Sequence, residues 1–595
     1  MNSELRCVLL IFEMKKIAVL LVVLLLGTVG FAYTNNAIIY SLDSGIYEDM
    51  DNLYATCGFV RPSTNRPWSE AEARMILSRV DKSILDGYAL KLYNRIETEL
   101  DTGLKWNFGE NFGLTVGMDF ALEGYAHSNT EDFITETDWE RSYDKRKSLM
   151  RLFFEFTCND NFYTTSDIHY RYRRADVDSR DEYTKYSTDE GGRLSKDGYI
   201  ASYDMKDDKG KIIKMYYISK SYQFSQGMMS NFFTDTIHFS FIWPKRAIFS
   251  FGGETWNFSV NRDKLSLGNA NFGNLLVDDH TFSDFSKLSF FSNNFKYDFV
   301  LMFFDTLLNS GESATTEGRI YMIHTLQFRV FDRVSFTISE NVMYKYKVFD
   351  LYFFNPSFIY HNHNNRGMFN ALAYVDLNLV IIKGLEFYGQ FALDQARATH
   401  EGTSQSDSYG LVAGLSYSQN LGNGMLTVYG EYTKTSPLLY RRDGVDFVRS
   451  SRYVAMDAPI YHIPFFDYIG FPYGGDVRMV ELRATYKSLD NWEVSVFGRL
   501  AQKGEVNIFY SHNVDGNNDD DANLSGDTPY GDKVKNFAVV GIEANANLDG
   551  LFNWPKVEFD GELDWIGRYN YTKSTKEKSA AEMDIQLTLS VTLGI

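Results

Sequence analysis

The stretch Ile585-Gln-Leu-Thr-Leu-Ser-Val-Thr-Leu-Gly-Ile595 carries an apolar side chain at every second position. Successive side chains of a β-strand point to opposite faces. The odd-numbered residues from Ile585 to Ile595 would therefore share one face, and the even-numbered residues would share the other. This alternation predicts a strand with one apolar and one polar face.

The same period of two residues recurs from about Thr102 onward. Between residues 168 and 173, for example, basic residues alternate with Ile168, Tyr170 and Tyr172. One such strand could belong to a soluble sheet, but its recurrence along most of the chain predicts an all-β membrane barrel. Further strands are predicted at residues 152–157, 237–243, 247–251, 295–304, 323–331, 334–344, 371–380, 385–393, 410–418, 425–433, 477–486, 492–500, 537–546 and 556–565.

The connections between these predicted strands are of two kinds. Some are short turns, such as residues 331–333 and 421–424, and others are long and polar. Short turns on one side and long loops on the other are typical of outer-membrane barrels. We expect 14 to 18 antiparallel strands, with 18 preferred, and closure by pairing of the last strand near residues 102–120. The expected extracellular connections are residues 132–146, 177–214, 440–475 and 514–535.

The composition agrees with a barrel. Aromatic residues make up 16% of the 595 residues, with 47 Phe and 40 Tyr, and the chain has only 10 Pro. A membrane barrel uses aromatic residues on its lipid face and in the girdles at both interfaces. The net charge of −19 argues against a nucleic-acid partner. It is compatible with acidic loops facing the medium, and solubility alone explains it equally well.

The N-terminus has the pattern of an export signal. Lys15 and Lys16 precede an apolar run at residues 17–26, and small residues suited to signal peptidase follow. We therefore expect residues 1–32 to be a cleaved signal peptide, with Met14 as the true start and the outer membrane as the destination. Beyond it, no stretch of about eighteen apolar residues could cross a bilayer as a helix.

The region before the strands has a helical period. Ser69-Glu-Ala-Glu72 reads as a capping box. A second helix is predicted over residues 84–100. We expect residues 33–100 to form a small α-helical periplasmic cap or plug, and residues 101–595 to form the barrel with long extracellular loops. The residues that follow the capping box at helical spacing are Ala73, Ile76, Leu77 and Val80.

Two polar clusters suggest metal ligands but fit them poorly. An EF-hand loop starting at Asp515 would need Gly and Glu at its sixth and twelfth positions, where Asp520 and Gly526 stand. His361 and His363 could bind a metal only with a third ligand that the sequence does not indicate. Both clusters are interpreted as solvated loops.

The sequence predicts neither a bound metal, a cofactor nor a catalytic centre. The chain has no nucleophile elbow, Walker loop or H-E-x-x-H helix. We therefore expect binding and not catalysis. Cys57 and Cys158 could pair in an oxidising compartment, and the sequence leaves this pairing open.

The long loops hold the candidate ligand-binding residues, in two short runs. The guanidinium groups are suited to carboxylates, and the flat aromatic rings are suited to stacking on sugar rings. The alternative is that these side chains pack the loops against the rim of the barrel. The candidates are Tyr440, Arg441, Arg442, Arg452 and Tyr453.

Several segments between about Trp256 and Tyr486 occur in a recognisable order and spacing. The first is Asn257-Phe-Ser-Val-Asn-Arg-Asp-Lys-Leu-Ser-Leu-Gly268, followed by Asn274-Leu-Leu-Val277. The others are His324 with Phe336-Thr-Ile-Ser-Glu340 and Tyr344, then Phe354-Asn-Pro356 with Tyr360-His361, Asn370, Asp376, Tyr388-Gly-Gln-Phe391 and Asp394, then Glu431-Tyr432 with Tyr440 and Gly474-Gly475-Asp476. Together with Arg66-Pro-Trp-Ser-Glu-Ala-Glu-Ala73, they resemble the Wzi family of outer-membrane capsule-assembly proteins.

The resemblance implies an 18-stranded barrel, closed at its periplasmic end by helices, that binds secreted polysaccharide through extracellular loops. These loops do not align, so no binding residue is carried over. We expect a non-catalytic protein that binds or anchors surface polysaccharide. It would be a monomer in contact with outer-membrane lipid and lipopolysaccharide-like glycolipid, inserted by the barrel-assembly machinery. The alternative is a general porin or diffusion channel.

Overall fold

Most of the chain forms one sheet that closes on itself. The computed structural model describes residues 35–108, 111–133, 138–172, 184–186, 199–206, 212–219, 229–232, 239–305, 318–346, 351–357, 369–396, 407–442, 445–455, 461–508, 524, 528–551 and 554–595. Within these residues, eighteen antiparallel strands form a closed barrel. The predicted barrel and its preferred strand number are confirmed.

The strands and helices are numbered here in chain order. The strands are β1 (Phe112–His127), β2 (Met150–Cys158), β3 (Phe162–Tyr172), β4 in two pieces (Phe239–Ile242 and Ala247–Gly253), β5 (Trp256–Asp263), β6 (Ser283–Phe291), β7 (Phe295–Asp305), β8 (Gly318–Val330), β9 (Val334–Tyr346), β10 (Phe369–Ile382), β11 (Leu385–Gln395), β12 (Ser408–Leu421), β13 (Gly424–Thr435), β14 (Val477–Ser488), β15 (Trp492–Lys503), β16 (Lys533–Asn547), β17 (Lys556–Thr572) and β18 (Glu582–Gly594). The helices are α1 (Ile46–Cys57), α2 (Glu70–Ser78) and α3 (Gly87–Asp101).

The last strand closes the barrel. β18 pairs with β17 on one side and with β1 on the other. The partner residues in β1 are 119–127, which lie further along the chain than residues 102–120. Residues 106–108 instead pair with residues 112–114, as a short hairpin at the start of β1.

The two faces of β18 have opposite surroundings. Ile585 and Leu589 are exposed on the outside of the barrel, whereas Gln586 and Thr588 are buried in its lumen. An apolar exterior and a polar interior are the arrangement that a bilayer requires of a barrel. The apolar face of the opening sequence is therefore the lipid-facing one.

The three helices pack together at the barrel end that carries the short turns. Trp68 and Tyr54 are fully buried in their common core. The Ser69 side chain accepts a hydrogen bond from the Glu72 amide, so the Ser69 half of the predicted capping box is confirmed. The Glu72 carboxyl contacts Lys296 on the barrel wall. Lys487, beside the turn between β14 and β15, pairs with Glu48 of α1 at 2.6 Å. We call residues 35–101 the cap.

No helix within the described residues is long and apolar enough to span a membrane.

The cap is fastened to the lumen wall by buried charges. Lys296 on β7 contacts Glu72 of α2 at 2.5 Å, and its side chain is 4% exposed. Lys296 also donates a hydrogen bond to the Asn65 carbonyl oxygen at 2.8 Å. Burial raises the pKa of the Glu72 carboxyl, against the attraction of Lys296. These contacts hold α2 inside the end of the barrel.

Residues 264–282 leave the wall and fold into the lumen. Asp263 at the end of β5 pairs directly with Ser283 at the start of β6, so the intervening residues are not needed to join the two strands. Leu267 and Leu275 are fully buried among the inward side chains of the wall. We call residues 264–282 the inserted segment.

The inserted segment touches both the cap and the wall. Its Ser266–Leu267 pairs with Asn65–Arg66 of the cap. The Leu275 amide donates a hydrogen bond to Gln390 Oε1 on β11 at 2.8 Å. Arg61 of the cap pairs with Glu386 on β11 at 2.7 Å and donates a hydrogen bond to Asn271 at 2.9 Å. The inserted segment therefore packs in the lumen directly next to the cap.

Candidate functional site

The end of the barrel opposite the cap carries the long connections and all five candidate residues. The connection between β13 and β14 first enters the lumen and then rises above the barrel. Tyr440 lies in the part that packs in the lumen, and it has a positive φ of 74°. Its hydroxyl donates a hydrogen bond to the Leu275 carbonyl oxygen at 2.6 Å, and its amide donates one to Asp394 Oδ2 at 2.8 Å. Tyr440 is fully buried.

The next two arginines hold the same connection in place. Arg441 is buried and pairs with Asp446 at 2.7 Å. Arg442 is half-buried, and its guanidinium lies 5.7 Å from the centre of the Phe369 ring. For Tyr440 and Arg441, the geometry supports loop packing, the alternative that the sequence left open.

Arg452 and Tyr453 lie in a second sheet, separate from the sheet of the barrel. They belong to the strand Val448–Ala455, which pairs with Tyr461–Tyr468. Among the described residues, the backbone pairing of His462 with Ser202 joins this hairpin to strands from the connection between β3 and β4. The structure describes the backbone of Arg452 and Tyr453, and it separates them from Tyr440 and Arg441. The other strands of this outer sheet are Thr184–Tyr186, Tyr199–Lys206 and Ile212–Ser219.

A further connection enters the lumen and was not recognised in the sequence as a lumen element. Residues 128–149 join β1 to β2, and several charged side chains of the described residues 138–149 reach the wall. Glu140 pairs with Arg499 at 3.0 Å, and Arg141 pairs with Glu123 at 2.9 Å. We call residues 128–149 the charged loop. Its one signal in the sequence is a high density of charged residues. A solvent-exposed loop has the same composition, so the sequence does not distinguish the two.

Arg499 is the centre of this ionic region. Its side chain is 4% exposed and also pairs with Glu481 at 2.8 Å. The guanidinium lies 4.1 Å from the centre of the Phe272 ring, which belongs to the inserted segment. Tyr473 accepts a hydrogen bond from it at 3.1 Å. Arg499 therefore connects the charged loop, the inserted segment and the connection between β13 and β14.

Asp476 fixes the outer connections to one another. Its Oδ1 accepts a hydrogen bond from the Tyr530 amide at 2.7 Å, and its Oδ2 accepts one from the Val506 amide at 3.1 Å. Its own amide donates to the Ser436 carbonyl oxygen at 2.9 Å. Burial raises the pKa of the Asp476 carboxyl to about 6, although these amides favour the charged form.

The remaining sequence candidates give no site in the described part of the chain. Residues 515–521 and 360–363 lie outside the described residues, as does the predicted signal peptide. Among the described residues, no group of three or more His, Cys, Asp or Glu side chains is placed to hold a metal ion. Cys57 and Cys158 are both free thiols.

The comparisons with known proteins agree with this architecture. The alignment with one solved structure covers 93% of this chain and 98% of the other chain, with a TM-score of 0.51 and 11% sequence identity. That structure is Wzi of Escherichia coli, an outer-membrane protein involved in group 1 capsule assembly and a carbohydrate-binding β-barrel. The fold is similar to that of Wzi. The resemblance predicted from the sequence is confirmed at the level of the fold, which is all that an identity of 11% shows.

Two further barrels match less of the chain. OccAB4 of Acinetobacter baumannii has a TM-score of 0.36 and 10% identity, covering 81% of this chain and 98% of its own. OprD of Pseudomonas aeruginosa has a TM-score of 0.34 and 7% identity, covering 81% and 94%. No protein-family model and no curated protein sequence matches the chain.

Proposed function

We propose that this protein is a non-catalytic outer-membrane barrel that binds or anchors surface polysaccharide. The observation that carries the proposal is the filling of the lumen. The cap, the inserted segment and the connection between β13 and β14 are stacked in it, and Leu267, Leu275 and Tyr440 are fully buried there. A lumen packed in this way favours binding at the outer surface over diffusion through the barrel.

Binding would use the outer sheet and the connections that support it. Tyr440, Arg441 and Asp476 anchor the base, and Arg452 and Tyr453 would present a guanidinium and a ring above it. Such groups bind carboxylates and stack on sugar rings. Repeated weak contacts with a long polymer would add through multivalency. The fold similarity to Wzi, a carbohydrate-binding barrel, supports this proposal.

The surroundings of the barrel are part of the same proposal. A cleaved signal peptide would export the chain, and the barrel-assembly machinery would insert it into the outer membrane. It would act there as a monomer among outer-membrane lipid and lipopolysaccharide-like glycolipid.

The test is retention of the detergent-solubilised protein on an immobilised acidic polysaccharide. We expect retention by the parent, weaker retention by the double variant R452Q/Y453A, and parental retention by R333Q. Arg333 is the matched control because it is exposed in a short turn at the cap end. Equal retention by the parent and the double variant would show that Arg452 and Tyr453 of the outer sheet do not contribute to polysaccharide binding.

A second measurement separates this proposal from a porin. The intact protein in a planar bilayer should give no large, stable single-channel steps, because side chains fill the lumen. Such steps would overturn the proposal in favour of a diffusion channel.

A further inference from the structure

The lipid-facing surface of β13–β18 contains a groove of about 550 Å³. Its lower part is apolar and open to the surroundings, and Leu500 and Met583 are 66% and 56% exposed. The apolar side chains that line it are Tyr432, Val480, Leu500, Trp565 and Met583.

The groove exists because two small residues lie side by side in the wall. Ala538 on β16 is paired with Leu500 on one side and with Gly567 on the other. Gly567 is in turn paired with Met583 on β18. The Trp565 ring leans over Gly567, where a Cβ atom would lie only 2.9 Å from it. Large side chains around a small floor leave a depression in the lipid-facing surface.

A polar row borders the groove toward the ends of the strands that carry the long connections. Arg478, Gln502, Asn536 and Tyr569 are partners in register on four successive strands. Neighbouring strands are about 4.8 Å apart, so the row extends for roughly 14 Å along the wall. Gln502 Nε2 donates a hydrogen bond to Asn536 Oδ1 at 2.9 Å.

Two cations stand together at one end of this row. Lys434 on β13 is the register partner of Arg478, and its Nζ donates a hydrogen bond to the Tyr409 hydroxyl at 2.9 Å. Neither Lys434 nor Arg478 forms an ion pair with a described residue. The outward-facing Arg262 on β5 differs, since it pairs with Asp284 at 2.9 Å.

An aromatic girdle explains part of this surface. Tyr432, Trp565 and Tyr569 are the residues expected at a membrane interface of any barrel. A girdle does not require two adjacent cations without carboxylate partners above a floor of Ala538 and Gly567. That combination is suited to a ligand whose acyl chains contact the floor and whose negative charge lies beside the two cations.

We propose that this groove holds one anionic, acylated glycolipid of the outer leaflet. Its acyl chains would lie over Ala538 and Gly567. Its phosphate would meet Lys434 and Arg478, because guanidinium and ammonium groups form charge-assisted hydrogen bonds with phosphate. Gln502, Asn536 and Tyr569 would hydrogen bond to the sugar of the headgroup. The site is independent of the polysaccharide proposal, because it lies on the opposite face of the wall from the lumen.

The experiment is native mass spectrometry of the full-length protein with a doubly phosphorylated, multiply acylated diglucosamine lipid. Zwitterionic phosphatidylethanolamine and inorganic phosphate serve as the comparison ligands. We expect the parent to retain the glycolipid in preference to phosphatidylethanolamine. The double variant K434Q/R478Q should lower the affinity by about fivefold for each charge removed. R262Q should bind as the parent does.

A second variant tests the floor of the groove. A538L adds a side chain that faces lipid, so it leaves the lumen packing intact, and it should displace acyl chains and weaken glycolipid binding. Three results would overturn the proposal: unchanged binding by K434Q/R478Q, an equal loss in R262Q, or unchanged binding by a folded A538L protein. Competition by inorganic phosphate as strong as by the glycolipid would also overturn it, because the apolar floor would then contribute nothing.

Discussion

The inserted segment and the charged loop contact the lumen wall through different chemistry. Along β6–β13, apolar side chains such as Val300, Ile323 and Val412 pack on the inserted segment, and all three are fully buried. Along β14–β18 and β1–β3, the charged loop reaches the wall through ion pairs. In that part of the wall, Asp138 pairs with Arg568 at 2.5 Å and Lys147 with Glu558 at 3.1 Å.

The two kinds of contact predict different stability for the inserted segment and the charged loop. Apolar burial is non-directional and gains from every contact that excludes water. A buried ion pair gains only if both partners are present, and breaking one leaves an uncompensated charge. We infer that the inserted segment closes the lumen, and that the charged loop depends on each of its pairs.

The largest effect is expected from removing the inserted segment. Because Asp263 and Ser283 are register partners, a two-residue turn can replace residues 264–282 and leave the strands in place. We expect stable single-channel steps in a planar bilayer from the deletion variant and none from the parent. A folded deletion variant that remains silent would show that other layers suffice to close the lumen.

The second prediction tests the buried ion pairs of Arg499. R499Q removes the cation that pairs with Glu140 at 3.0 Å and the nearer of the two cations beside Glu481, whose other partner is Arg483 at 3.7 Å. It should lower the free energy of unfolding by about 3–5 kcal/mol. Unfolding of the detergent-solubilised protein in urea measures this loss. R262Q is the control, since its pair with Asp284 is exposed and should contribute less than about 1 kcal/mol. Equal losses in both variants would contradict the distinction between the buried and the exposed pair.

The third prediction concerns Asp476, which ends the connection between β13 and β14 and directly precedes β14. Its folded pKa of about 6 lies above the ordinary value of 3.8. Between about pH 4 and 6 the folded state therefore keeps a proton that the unfolded state has lost. Stability from this site should be full below pH 4 and should fall as the pH rises through 6.

Hydrogen exchange at the Tyr530 and Val506 amides reports this change, because both donate to the Asp476 carboxyl. Protection should decrease from pH 4 to 6 after correction for the intrinsic exchange rate. D476N should remove the pH dependence. A pH profile that is the same in D476N would assign the change to another group.

The smallest effect is expected from salt. Raising the ionic strength from about 0.01 M to 1 M shortens the Debye length from roughly 30 Å to 3 Å. Exchange in the charged loop should therefore become faster, by less than about 1 kcal/mol in opening free energy. Exchange at Leu267 and Leu275 of the inserted segment should stay constant, because their side chains are fully buried among apolar residues. The comparison would fail if both segments responded alike.

The strands and the start of α2 could be predicted because their signals are local. The alternation in residues 585–595 depends only on which side chains are apolar, and β18 follows it with Ile585 outward and Gln586 inward. Ser69 caps α2 because its hydroxyl needs only the Glu72 amide three residues away. The candidate binding residues could not be placed in this way. Arg441 and Arg452 look equivalent in sequence, yet one is buried at the base and the other lies in the outer sheet.

By itself, the sequence determined the period of two, the lipid-facing side of the closing strand and the helical nature of the cap. Each follows from side chains within a few residues of one another. Only the tertiary structure decided how the lumen is filled. Tyr440 meets the Leu275 carbonyl oxygen across 165 residues of chain, and Glu140 meets Arg499 across 359. Such contacts depend on the closure of the barrel, which brings distant segments together, and no local pattern of apolar and charged residues encodes them.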